Sequence, residues 1–311
     1  MQNKRLLGLG CAFFSTMCWA SNYPVFRLIF NRGGIDDLDE WWSSWLRTFL
    51  CLIVMFPFAF TSKADGLERF RKEWRKDWKI FIFLGLTLVL EAALCFAAAK
   101  YTTAARTSLF ANTSPVFTLL ISFLFAKEVL TGRKITGILL GLAGIVIAAF
   151  SRGSDAFTTG LSTLGGDLLA ILSGVFWALF TVFGGDASSK YNGAFCTVIY
   201  RACGVVLMIP VLFFCDVDVN LPWKVWLGLL YLAVIPGGIA VWVWSIAQKY
   251  VEPGVLGSFG YLSAFSATLF SVIFLQEKIT MPFILAFVLI LGGMALIIKQ
   301  SKQDKAEEKE A

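Results

Sequence analysis

The stretch Ala98–Gly144, AAKYTTAARTSLFANTSPVFTLLISFLFAKEVLTGRKITGILLGLAG, decides the fold because it occurs twice. Moved by 149 positions, Ala98, Lys100, Tyr101, Phe110 and Ser114 fall on Ala247, Lys249, Tyr250, Phe259 and Ser263. In the same register Ser122, Phe125, Glu128, Thr131 and Gly144 fall on Ser271, Phe274, Glu277, Thr280 and Gly293. Apolar composition alone scatters Leu on Leu; it does not align Lys-Tyr, Glu-x-x-Thr and a glycine together. The repeat reads as an internal duplication.

Outside this segment the repetition continues. Ser15, Trp19 and Ala20 match Ser173, Trp177 and Ala178 at an offset of 158. Arg47 and Arg201 are each followed about ten residues on by a proline, Pro57 and Pro210. The composition says what kind of element is repeated. Of 311 residues, 58% are apolar and 15% charged, with a mean hydropathy of +0.73. Soluble domains carry about 25% charge, and a helix needs about 20 apolar residues to cross a hydrocarbon core.

Ten such runs stand at about 6–30, 41–60, 79–100, 103–126, 133–150, 164–184, 193–214, 223–248, 253–276 and 282–299. The expected fold is an all-α membrane protein of ten transmembrane helices. Its halves are 1–150 and 151–300, with a disordered charged tail over 301–311. Placing the N-terminus inside puts 18 Lys and Arg on the cytoplasmic side and six outside. That bias predicts a multi-pass protein of the cytoplasmic membrane with both termini cytoplasmic. Five spans per half then make the repeats inverted. The basic segment Lys63–Lys79, with Trp74 and Trp78, is expected to form an interfacial helix.

The net charge of +6 lies in loops and reports orientation, not nucleic-acid binding. Histidine is absent, the seven cysteines form no C-x-x-C, and there is no phosphate loop, H-E-x-x-H or G-x-S-x-G. The reading is therefore not an enzyme, with no cofactor and no metal. The expected partners are a small-molecule substrate and the lipid bilayer.

The run Lys100-Tyr-Thr…Ser114-Pro115-Val-Phe117…Phe125-Ala-Lys-Glu128…Gly137…Gly141…Gly144, and its echo from Lys249 to Gly293, resembles the EamA-like family of the drug/metabolite transporter superfamily. The second copy has Ala264 where the first has Pro115. The resemblance implies a ten-helix basket of inverted halves, with helices 1, 3, 4, 6, 8 and 9 around a central cavity. It also implies transport: export of amino acids or other metabolites, or import of sugar-like ones. A lipid-carrier flippase subunit or scaffold is the alternative from another class.

Glu91 lies deep in the third run, where a carboxylate is costly. It reads as a proton-coupling or amine-binding group, as the partner of Arg47, or both. Arg47 is about 9 Å and Glu91 about 14 Å from the outer ends of their helices at 1.5 Å per residue. Arg47 and Arg201 themselves read as structural residues, capping helix ends or snorkelling to an interface; Arg27 reads as a snorkelling residue, with the drawing of an anion into the cavity as its alternative. Ser15, Trp19 and Asn22 share a helix face, echoed by Ser173, Trp177 and Thr181; these faces either line the cavity or pack. Ser108, Asn112 and Pro115 form a face matched by Gly257, Tyr261 and Ala264. Pro236-Gly237-Gly238 should break its helix and free carbonyls, giving a gate or an accommodation of packing; Trp244 and Gln248 follow it. The expected substrate contacts are Trp19, Asn22, Glu91, Asn112, Trp177, Trp244 and Tyr261, with Pro236, Gly237 and Gly238 as the gate. The small faces Gly137/Gly141/Gly144 and Ala286/Gly292/Gly293 predict close helix packing, within a monomer or across a homodimer. Glu128 and Glu277 read as turn and cap residues.

Overall fold

Residues 2–22, 25, 39–61, 65–101, 107, 110–126, 128–150, 161–275 and 281–310 are described by a computed structural model of the chain. Arg27, Ser108 and Glu277 lie outside them. The elements run α1 (Gln2–Ala20), α2 (Glu40–Thr61), α3 (Asp65–Tyr101), α4 (Ser114–Phe125), α5 (Gly132–Phe150), α6 (Leu161–Lys190) and α7 (Gly193–Leu212). Then follow α8 (Trp223–Tyr250), whose middle, Ala233–Ile239, is π-helical, α9 (Pro253–Leu275) and α10 (Met281–Glu310). No strand occurs among the described residues.

Six helices, α2, α3, α6, α7, α8 and α10, carry segments both long and apolar enough to span a bilayer; α4 is a shorter apolar helix. Large apolar side chains stand exposed on α1, α2 and α4 and just past α7, among them Phe13, Ile53, Phe56, Leu124, Phe213 and Phe214. A surface of that kind seeks lipid or a partner. Local signals set the ends. The Asp39 carboxylate accepts from the backbone N–H groups of Trp41 and Trp42 at 2.9 and 2.8 Å and caps α2. Asn192 caps α7 through Ala194 N at 2.8 Å, and Pro115 stands in the first turn of α4, where its missing N–H is harmless.

Two expectations change. The basic segment after Lys63 is not a separate interfacial helix: from Asp65 it is the first part of α3, a helix of 37 residues. The expected disordered tail is helical as far as Glu310. At 1.5 Å per residue a 30-residue helix is about 45 Å long, so its end projects beyond a hydrocarbon core of about 30 Å. The projecting part is held. Gln300 Nε2 donates to Asp304 Oδ1 at 2.7 Å, Arg133 donates to Gln303 Oε1 at 2.6 Å, and the buried Lys134 Nζ lies 2.7 Å from Asp304 Oδ2. The last contact is an ion pair lacking hydrogen-bond alignment.

The packing pairs elements across the halves. α1 lies against α8 and α9, and α6 lies against α3 and α4; α2 and α3 meet α7, and α5 meets α10. Thus the first helix of each half sits on the third and fourth helices of the other. Contacts between charged groups tie one end together. Arg5 reaches Glu252 at 3.5 Å, Glu128 accepts from Gly254 N at 3.0 Å, and Lys134 touches both Glu128 at 3.4 Å and Asp304. Through this chain the start of α1 and the end of α10 occupy the same face of the bundle. Glu128 thereby performs the cap role read from sequence, at the N-terminus of α9.

The glycine faces of α5 and α10 are used within the chain. A Cβ on Gly137 would stand 2.7 Å from Gly293 O, and one on Gly293 would collide with Gly137 O. A backbone carbonyl cannot swing away, so the helices require hydrogen at both positions. Gly292, one residue before, faces open space. Gly293→Ala is expected to cost about 1–3 kcal/mol and to lower the melting temperature in detergent, whereas Gly292→Ala leaves it unchanged or slightly raised.

Asp304 lies beyond the apolar part of α10. Burial would raise its carboxyl, but the Lys134 ammonium and the Gln300 amide outweigh that and hold it below the usual carboxylate range. A depressed folded pKa contributes stability above the unfolded value of about 3.9, which is lost as pH falls through the lower folded value. Asp304→Asn is expected to lower the melting temperature at pH 7, with the difference from the parent chain disappearing below about pH 4.

Candidate functional site

Pro236 has no N–H and cannot continue the helical ladder. Over Ala233–Ile239 the backbone of α8 widens into a π-helix, and its carbonyls take donors from other helices. Trp19 Nε1 donates to Pro236 O at 2.9 Å, Arg201 Nη2 to Gly237 O at 2.7 Å, and Ser15 Oγ to Ala240 O, just past the π-turn, at 2.8 Å. The expectation that Pro236-Gly237-Gly238 frees carbonyls holds in this form. The segment also needs its glycines: a Cβ on Gly238 would stand 2.8 Å from Cγ and Sδ of Met55 on α2.

Around this segment three indoles meet. The Trp19 and Trp177 rings are 4.7 Å apart at 84°, Trp19 and Trp244 are 5.0 Å apart at 62°, and Trp177 and Trp244 are 5.7 Å apart at 41°. Trp244 is buried and its Nε1 has no hydrogen-bond partner. Trp19 and Trp177 are partly buried and face each other rather than lipid. Sequence reading assigned these indoles to three helices; the structure makes them one cluster, joined to the π-segment through Trp19.

Beside it lies a charged group. Arg47 and Arg201 lie within electrostatic reach of Glu91 and of each other. Cys51 adjoins both guanidinium groups, and Cys95 adjoins Arg47 and Glu91. The Arg47 guanidinium rests over the Phe96 ring, 5.4 Å from its centroid. Nε of Arg47 and Nε of Arg201 are both buried without an acceptor. The expected neighbourhood of Glu91 and Arg47 is therefore present, with Arg201 as a third member. Sequence reading gave the arginines a structural task such as capping or snorkelling; Arg201 does not snorkel, being 3% exposed, and it donates to a carbonyl of the π-segment. Their equivalent positions in the two copies, both within apolar runs, were the signal.

The remaining expected residues divide. Asn22 is partly buried three residues beyond Trp19, its Oδ1 without a partner. Asn112 is buried in the turn before α4. That turn abuts α6, since a Cβ on Gly174 would be 2.8 Å from Ala111 O. Tyr261 is engaged by α5 instead: its ring covers Gly141 and its hydroxyl donates to Ile138 O at 3.2 Å. Gln248 cross-links helices, donating from Nε2 to Phe180 O and Thr181 O at 3.0 and 3.2 Å. Among the described residues no group of three or more His, Cys, Asp or Glu is placed to hold a metal ion.

Comparison with known proteins agrees with this architecture. The pattern of the EamA-like transporter family matches residues 6–150 and again 164–299. An uncharacterized transporter of Archaeoglobus fulgidus is 28% identical over 267 residues, covering 84% of this chain and 87% of its own. The uncharacterized transporter YetK of Bacillus subtilis is 24% identical, covering 88% and 82%. A WAT1-related protein of Arabidopsis thaliana is 23% identical, covering 92% and 83%. A crystal structure of a protein 20% identical in sequence superposes with a TM-score of 0.77 over 97% of this chain and 99% of that one, and so shares the fold. With its apolar helices, exposed apolar faces and twofold match to one family pattern, the chain is a multi-pass membrane protein and belongs to the EamA-like transporter family.

Proposed function

We propose that this chain is a secondary transporter of the cytoplasmic membrane that exports small metabolites such as amino acids by alternating access. Two inverted five-helix repeats would rock against each other about a centre at mid-depth. The observation that carries this reading is the π-helical Ala233–Ile239 with its carbonyls bonded from Trp19 and Arg201, beside three clustered indoles. Irregular backbone deep in a membrane protein belongs where it borders protein or a water-filled path. Here the donors come from α1 and α7, one from each half, so the segment is placed to respond when the halves move.

In this reading Trp19, Trp177 and Trp244 hold the apolar part of the solute, and Asn22 and Asn112 its polar groups. Glu91 couples transport to protons. Pro236, Gly237 and Gly238 form the hinge of the gate. The termini face the cytoplasm, following the excess of Lys and Arg on that side. A monomer suffices, since the glycine faces of α5 and α10 are used within the chain.

The test is flux of a panel of amino acids and related metabolites from proteoliposomes, with and without a pH gradient. The parent protein is expected to give gradient-driven flux, and Glu91→Gln to reduce it at least tenfold while leaving slow downhill exchange. Flux indifferent to both the gradient and the substitution would remove Glu91 from the mechanism; no flux for any member of the panel would overturn the transporter reading.

A further inference from the structure

The buried centre holds N–H donors that no acceptor meets. Nε of Arg47, Nε of Arg201 and Nε1 of Trp244 are enclosed N–H groups with no hydrogen-bond partner. Two guanidinium groups lie within electrostatic reach of the Glu91 carboxylate, and the three groups together carry a formal charge of +1. Among the described residues Glu91 is the one carboxylate within electrostatic reach of Arg47, and Cys51, Cys95, Phe96 and the carbonyl of Gly237 are further neighbours of the arginines. A surplus cation at membrane depth is expensive without a counter-charge. Guanidinium is also the side chain suited to a planar, bidentate anion.

We propose that Arg47 and Arg201 form a receptor for the carboxylate of an apolar monocarboxylic solute, whose hydrocarbon or aromatic part lies on Trp19, Trp177 and Trp244. This deepens the transporter reading and rests on it. Glu91 occupies the receptor's charge when the solute is absent, and the arriving carboxylate competes with it for the two guanidinium groups. The selectivity that follows is for charge first: an acid over its amide, and a neutral amide over an amine, because an ammonium group brings a second cation to a centre already positive. An α-amino acid binds through its carboxylate, with its amine turned toward Glu91.

Four probes of one size test this with the purified, full-length protein: 3-phenylpropionate, 3-phenylpropanamide, 2-phenylethylamine and L-phenylalanine. Binding is measured by calorimetry and by the melting-temperature shift at pH 7. The expected result is that 3-phenylpropionate binds at least tenfold tighter than its amide, that 2-phenylethylamine does not bind, and that L-phenylalanine follows the acid. Arg201→Gln abolishes the preference of acid over amide, so that the ratio of the two affinities falls to about one whatever happens to either. A merely structural arginine would weaken both alike. Arg201→Lys restores part of the preference, and Arg47→Gln gives the same answer if Arg201→Gln does not fold. Glu91→Gln, which removes the competing carboxylate, binds the acid at least as tightly as the parent.

Equal binding of acid and amide, stronger binding of the amine, an undiminished preference in both arginine variants, or no binding of either carboxylate overturns the proposal. The transporter reading fails separately: acid-selective binding with no flux in vesicles sinks transport and leaves the receptor standing. Flux of acid and amide at equal rates sinks the receptor alone.

Discussion

A backbone carbonyl inside a bilayer must find a donor, and that constraint shapes the centre of this protein. A peptide group left unpaired in a buried place costs about 1–3 kcal/mol, more where water cannot reach it. Pro236 interrupts the ladder of α8 and the widened turn turns its carbonyls to outside donors. The answer comes from side chains on other helices: the indole of Trp19, the guanidinium of Arg201 and the hydroxyl of Ser15. Each of these bonds fixes a functional-looking residue in place. The same interaction thus completes the backbone, orients the first tryptophan of the cluster and draws a buried cation to the middle of the molecule.

Much of this was legible in the sequence, for a physical reason. A duplicated chain repeats its constraints. The Lys-Tyr, Glu-x-x-Thr and glycine matches pointed to two related halves, each of which the family pattern matches, and the apolar runs marked the apolar bodies of the helices but not their ends: α3 starts at Asp65 and α10 runs to Glu310, well beyond the expected 79 and 299. Trp19 and Trp177 stood out because they recur in both copies beside polar neighbours within apolar runs, and Trp244 because it follows the Pro236 break; packing was the alternative reading. The helical end after residue 300 was not legible, because its support is tertiary: Lys134 and Arg133, more than 160 positions away, hold Asp304, Gln300 and Gln303. Tyr261 looked like a cavity residue from its helix face. Its surroundings, Gly141 and Ile138 O on α5, make it a packing residue. Arg201 was read as a structural arginine, and the structure shows which carbonyl it serves, that of Gly237.

The two ends of the bundle are joined by different chemistry. At one end Arg5 meets Glu252, Lys190 and Tyr191 meet Asp77, and Lys134 meets Asp304, each contact linking the two halves. At the other, neutral hydrogen bonds do the joining: Trp42 Nε1 to Asp218 O at 3.0 Å, Trp45 Nε1 to Val205 O at 3.1 Å, and Ser21 with Tyr231 at 2.7 Å. Ion pairs at a wet surface are individually weak, since water competes for both partners. The ionic set can therefore break and re-form at modest cost, as the proposed movement of one half against the other would require. The central bonds to the π-helix, shielded from water, are the stronger ones and would act as the pivot.

The central claim is that the space beside the three indoles opens to each side of the membrane in turn. Asn22, at the edge of that cluster, reports on it directly. In a chain otherwise without cysteine, Asn22→Cys is exposed to a membrane-impermeant thiol reagent, in vesicles of right-side-out and of inside-out orientation. The account predicts labelling from both faces, at rates that a transported solute shifts in opposite directions. Labelling from one face alone under every condition, or reaction only with a lipid-soluble reagent, would contradict it.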